Sequence, residues 1–256
     1  MAQMHAIPLR EDDVFYPESD GQPMGESELH RDEIVYLIEA FKERFQGEPE
    51  VYVGGNLFLY YRRGDPRDVI CPDVMVVQGV PKLPKRRIYK LWDEGESPCL
   101  AMEVRSDSTA GNDFVSKKAL YESLGIDEYV LYDPLALRLP QIRGFRLADD
   151  GQYQPVAPGP DGSLASQTTG VTFRLEGQSI RVVETATGRR FLRPEEKNAL
   201  LDDQRDEIER VKQAAFRREE ELAAAQQAAS REKEARLALE EEIARLRREI
   251  ERQSKR

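Results

Sequence analysis

The sequence predicts an α/β fold, a central mixed β-sheet flanked by helices, followed by a long C-terminal helix. Three observations carry this prediction. Apolar residues recur at helical spacing after residue 28, short β-branched and aromatic runs then alternate with turn formers, and beyond Pro194 glycine, proline and aromatic residues almost vanish. The 256 residues thus divide into an N-terminal arm (1–25), a globular domain (26–193) large enough for one buried core, and a charged helix (194–256).

The arm is polar and punctuated by Pro8, Pro17, Gly21, Pro23 and Gly25, which fits irregular chain. From about Glu28, Ile34, Leu37, Ile38, Phe41 and Phe45 step by three and four, giving an amphipathic helix that ends before Gly47. Val51-Tyr52-Val53 and Asn56 to Tyr61 read as strands around a Gly54-Gly55 turn, Arg62 to Pro66 as a second turn, and Val74 to Val77 as the next strand. A basic loop, Lys82 to Lys90, leads to the apolar run Leu100-Ala101-Met102 that closes on Glu103-Val104. Asp113 to Leu124 reads as a helix and Tyr129 to Tyr132 as a short buried strand stopped by Asp133-Pro134. Gly144 to Leu147, Thr168 to Leu175 and Ile180 to Val183 resemble hairpins appended to this core.

In the tail, Leu201, Ile208, Ala215, Leu222, Ala229, Ile243 and Ile250 recur at heptad intervals, with Val211, Ala225, Leu239 and Leu246 at the companion position. Arg218, Glu232 and Arg236 interrupt the seam. The pattern predicts a coiled coil and a homo-oligomer, a dimer through this helix, with a solvated single helix as the alternative.

The formal net charge of −10 argues against wholesale coating of nucleic acid, because sequence-independent affinity comes mainly from Lys and Arg on phosphates. Any nucleic-acid contact must therefore be local. Cys71 and Cys99 form neither a disulfide framework nor a zinc knuckle and read as buried, reduced thiols. Met1 to His5 lacks the apolar segment of a signal peptide, and no run approaches the length of a membrane span, so the reading is a cytoplasmic protein with no membrane partner.

A carboxylate closing an apolar strand is costly to desolvate unless a cation meets it. Asp73, after Pro72 at the start of another strand, and Lys117 on the following helix bring a second carboxylate and an ammonium within reach of Glu103. Hydrolysis of a phosphodiester needs an activated water and charge neutralisation, both of which a divalent ion supplies. Mg²⁺, or Mn²⁺ in its place, suits such a site because it takes oxygen ligands and few of them from protein. On residue type alone an Asp after Pro is as well a turn residue, and Lys117 a solvated side chain.

Pro72-Asp73-Val74, Glu103-Val104-x-Ser106, Asp113-x-x-x-Lys117-x-x-x-Tyr121, Gly125-Ile126-x-Glu128-Tyr129 and Asp133-Pro134 occur in the order found in the Uma2 family of endonucleases, a branch of the PD-(D/E)XK superfamily, which this chain resembles over about residues 26–135. The resemblance implies a restriction-endonuclease-like core and a Mg²⁺-dependent DNA endonuclease. In it Asp73 and Glu103 bind the metal, the Val104 carbonyl assists, and Lys117 serves the attacking water or the phosphate. The superfamily's usual lysine lies two residues after the Glu, where this chain has Arg105; in the Uma2 pattern it comes from the helix. Uma2 chains commonly carry an apolar or small residue at the Arg105 position, so Arg105 is a departure that either contacts phosphate or caps a strand end.

Glu26 resembles the acid that the superfamily carries near the metal on its first helix; the alternative is an acid favoured by the helix dipole. His30 also matches a family position, with capping or packing as its reading, and Tyr121 reads as packing for the Lys117 stem. Lys82, Lys85, Arg86, Arg87 and Lys90, with Tyr89 and Trp92, form a basic loop able to grip a phosphate backbone, or else a solvated loop anchored by its aromatics. The competing function is a catalytically inactive nucleic-acid- or protein-binding module with a nuclease fold and an oligomerising tail.

Overall fold

The computed structural model describes residues 14–21, 27–105, 113–135 and 141–254. It resolves into two compact units, Met1–Arg193 and Pro194–Arg256. Among the described residues no helix is long and apolar enough to cross a membrane.

The first unit opens with α1 (Glu28–Arg44), which Ser27 caps by accepting the His30 backbone N–H at 3.3 Å. Strands β1 (Val51–Gly54), β2 (Leu59–Tyr60), β3 (Val69–Ile70), β4 (Val74–Gln78) and β5 (Tyr89–Lys90) follow, then a single turn of helix, α2 (Leu91–Glu94). Next come β6 (Leu100–Val104), α3 (Asp113–Ser123), β7 (Glu128–Tyr132), β8 (Ile142–Leu147) and β9 (Tyr153–Val156). Strands β10 (Leu164–Ser166), β11 (Val171–Glu176) and β12 (Ser179–Glu184) complete the unit. The main sheet runs β1-β4-β6-β7-β8-β9 and is antiparallel except for the β6–β7 pair. That parallel pair requires a crossover, which α3 supplies.

Two departures from the sequence reading bear on function. Only Leu59–Tyr60 of the run from Asn56 to Tyr61 pairs as a strand; it belongs to a small separate sheet, β3-β2-β5. Of the segments read as appended hairpins, Gly144 to Leu147 falls in β8, which with β9, absent from the sequence reading, ends the main sheet; the other two supply β11 and β12, which with β10 form a sheet of their own. The apolar residues of β8 are interrupted by half-buried Arg143 and Arg146, and β9 exposes Gln154 and Pro155, which hides both strands from a search for apolar runs.

Side-chain alternation sorts the core into two layers. Val74, Val76, Leu100, Met102, Val130 and Tyr132 face α1 and the β10–β12 sheet. Met75, Val77, Ala101, Tyr129 and Leu131 face the opposite side with Tyr121 of α3. Glu103, one step of alternation from Ala101, therefore points into the α3 layer.

The second unit is one helix, α4 (Pro194–Ser254).

Candidate active site at the ends of β4 and β6

Val74 pairs with Met102 in the antiparallel β4–β6 ladder, so the next step of the register sets Asp73 opposite Glu103. Both lie at one end of the strand pair and on one face. Asp73 Oδ2 accepts the backbone N–H of Val104 at 2.7 Å, which ties the β4 entry to the β6 exit. Local crowding sharpens that position. A Cβ at Gly55 would fall 2.2 Å from the Asp73 carbonyl oxygen and 2.5 Å from Ile38 Cδ1, and the Asn56 N–H donates to the Pro72 carbonyl at 3.0 Å. Gly55 is needed for this close approach.

Glu103 is buried between two donors from α3. Lys117 Nζ donates to Oε2 at 2.8 Å, and the Tyr121 hydroxyl donates to Oε1 at 2.5 Å. Lys117 and Tyr121 are one helical turn apart, so a single face of α3 presents both. The two donors favour the carboxylate, but burial and then the neighbouring Asp73 oppose it and push the Glu103 carboxyl up to about 8. Burial also holds the Tyr121 phenol well above its ordinary range, so it stays a donor.

His30 joins from the opposite layer. Its Nε2 lies 2.7 Å from the Val104 carbonyl oxygen and 3.7 Å from Asp73 Oδ2. The helix cap at Ser27 fixes only the His30 backbone, whereas its ring reaches the carbonyl that the resemblance assigns to the metal. Capping accounts for half of His30. The other half depends on a contact between α1 and β6 that no local pattern reveals.

Arg105 has an acid partner outside this cluster. Its guanidinium donates to Asp133 Oδ2 at 3.1 Å and its backbone N–H to the Tyr132 carbonyl at 2.8 Å, so it spans the ends of β6 and β7. The basic loop is largely engaged with acids. Arg86 grips Glu94 through two hydrogen bonds of 2.6 and 2.7 Å and lies over the Tyr52 ring at 4.4 Å. Arg87 meets Glu18, and Lys90 lies 3.6 Å from Asp93 and over the Tyr16 ring. Lys82 caps the end of α1 through the Phe45 and Gln46 carbonyls, and Lys85 is exposed. Trp92 packs against Tyr16 with ring centroids 5.2 Å apart, anchoring the loop to residues 14–21. Glu26, Ser106 and the stretch before Asp113 lie outside the described residues.

The donor set fits a hard divalent cation. Asp73, Glu103 and the Val104 carbonyl provide oxygen ligands only, and among the described residues no three His, Cys, Asp or Glu side chains form a fuller cage. So sparse a set leaves positions for water and substrate, as Mg²⁺ requires. Cys71 is half-buried, and burial followed by these two acids pushes its thiol up to about 12; burial does the same to Cys99. Both cysteines are free thiols.

The fold is that of a mixed α/β protein with two carboxylates at one end of its central sheet. The chain belongs to the Uma2 family, described as "Putative restriction endonuclease", which it matches over residues 1–178. It is also similar to a solved structure described as a putative nuclease belonging to DUF820 from Anabaena variabilis ATCC 29413. That similarity is at 14% identity and a TM-score of 0.43, covering 63% of this chain and 91% of the other. No curated protein matches the chain.

Proposed function

We propose that the protein is a Mg²⁺-dependent endonuclease that hydrolyses DNA phosphodiester bonds at Asp73, Glu103 and Lys117. The observation that carries this reading is the paired carboxylates across the β4–β6 ladder, one of them pushed up to about 8 by burial and by the other. A cation between them relieves both penalties. Asp73 and Glu103 hold the metal, with the Val104 carbonyl beside them and His30 fixing that carbonyl. When bound, the ion lowers the pKa of a water and neutralises charge on phosphoryl oxygens. Tyr121 keeps Glu103 in one rotamer. Lys117, partly exposed, brings its ammonium charge to the attacking water or a phosphate oxygen. Membership of a family described as "Putative restriction endonuclease" supports nucleic acid, and DNA in particular, as the substrate.

Incubating supercoiled circular DNA with the protein tests this. Nicked or linear product is expected with Mg²⁺ or Mn²⁺ and none with a chelator, and Lys117→Ala should slow cleavage at least about 100-fold, the lower range for losing general acid–base assistance. Cleavage that survives the chelator, or cleavage of RNA alone, contradicts the proposal.

A further inference from the structure

We infer that α4 assembles with a second copy of this chain as a parallel, in-register, two-stranded coiled coil. Every described side chain from Asn198 to Ile250 is exposed. That includes Leu201, Ile208, Leu222, Ile243 and Ile250 at the a positions of the heptads, and Val211, Leu239 and Leu246 at d. A helix of 61 residues with a bare apolar seam draws most of its stability from packing that seam.

Charge selects the occupant and its direction. In a parallel, in-register pair each g residue meets the e residue five places on in the partner. Glu207 then faces the second copy's Lys212, and Glu242 its Arg247, while no g–e′ pair along the helix brings like charges together. Within one chain Glu207 and Glu242 rest on Arg210 and Arg245 in exposed contacts of 3.1 and 3.6 Å, which are weak and can be exchanged. The antiparallel alignment centred on Leu222 and Ala225 sets Glu207 against Glu242 and Lys212 against Lys233, two like-charge pairs against the single attractive pair of Arg205 and Glu240. It also buries Arg218, Glu232 and Arg236 against Ala229, Ala215 and Val211 respectively. The parallel alignment confines these polar residues to their own layers. There Glu232 at d and Arg236 at the following a position meet across the seam, and Arg218 at d adjoins Glu219 at e′. A charged a position with a long stem that reaches solvent also suits two strands better than three.

A parallel pair brings both Pro194 residues to one end, so two copies of the candidate site are tethered to the same DNA. This consequence rests on the proposed function; the assembly does not. Light scattering on the full chain should give twice the chain mass of 29.3 kDa. Under mild oxidation Leu246→Cys chains should crosslink to one another, whereas a mixture of Ile208→Cys and Leu239→Cys chains should form no mixed crosslink. Glu207→Lys with Glu242→Lys should weaken dimerisation at least about 10-fold, and adding Lys212→Glu with Arg247→Glu should restore it. A monomer at 10 µM or so, a trimer, the mixed crosslink or failed restoration would each overturn the inference. A dimer that cleaves no DNA would leave the assembly standing and refute the nuclease reading.

Discussion

Glu103 carries the most informative chemistry because its surroundings pull both ways. Tyr121 and Lys117 donate to it, while burial and Asp73 raise its carboxyl from 4.5 to about 8. Without metal, the folded chain therefore holds a proton here that the unfolded chain releases, and the sign follows. This group's stabilising contribution is complete below about pH 4.5 and is lost as pH rises toward 8. The melting temperature of the metal-free protein should fall from pH 5 to 8 relative to Glu103→Gln, which lacks the titration. Saturating Mg²⁺ should shrink that fall, and parallel melting curves for the two proteins would contradict the account. Tyr121→Phe removes only a hydroxyl, yet it should lower activity or metal affinity about 10- to 100-fold, as the loss of a ligand-orienting partner does. Kinetics beside a metal titration would separate the two effects. This role for Tyr121 is hidden in sequence, where an aromatic one turn from a lysine reads as packing. The contact with Glu103 exists only because β6 runs under α3.

α3 supplies both donors, and the last strands of the main sheet hold it in place. Glu122 Oε1 accepts the Tyr153 backbone N–H at 2.5 Å, the Tyr153 hydroxyl donates to the Ile126 carbonyl at 2.8 Å, and Lys118 lies over the Phe145 ring at 4.9 Å. Glu122→Ala leaves a part-buried N–H unpaired and should destabilise by about 1–3 kcal/mol. It should also reduce kcat at saturating metal while leaving metal affinity near wild type, since Asp73 and Glu103 stay on the sheet. A denaturation curve with a metal titration checks this, and an equal loss of metal binding would contradict it. Elements with strong periodicity, namely α1, β4, β6, α3 and α4, are legible in the sequence. The place of β8 and of the edge strand β9 is not, because their apolar residues are broken up by polar ones and β8 meets its partner β7 across a loop. The closeness of Gly55 to Asp73 is equally hidden: a Gly-Gly pair reads as a turn, whereas the need for glycine comes from a strand entry packed against it.

At the scale of the whole molecule, the charge distribution offers few cations to a phosphate backbone. With a net charge of −10 and with Arg86, Arg87 and Lys90 facing Glu94, Glu18 and Asp93, few phosphates can be neutralised without breaking an ion pair. Metal-free DNA binding should therefore be weak, with a log K against log salt slope shallower than about −4, whereas six to ten phosphate contacts give a far steeper dependence. A steep slope in fluorescence anisotropy would mean that the loop exchanges its acids for phosphates. The residues read as a basic loop in the sequence, but the partners of Arg86 and Arg87, Glu94 and Glu18, are brought to them only by the fold, while Lys90 meets Asp93 three residues on. The central claim is that Asp73 and Glu103 form one cation site. Calorimetric titration of Mn²⁺ into the wild-type protein and into Asp73→Asn and Glu103→Gln tests it most directly. Saturable binding by the wild type that each substitution abolishes is the predicted result, and binding that persists unchanged in both variants, or is absent from the wild type, would contradict it.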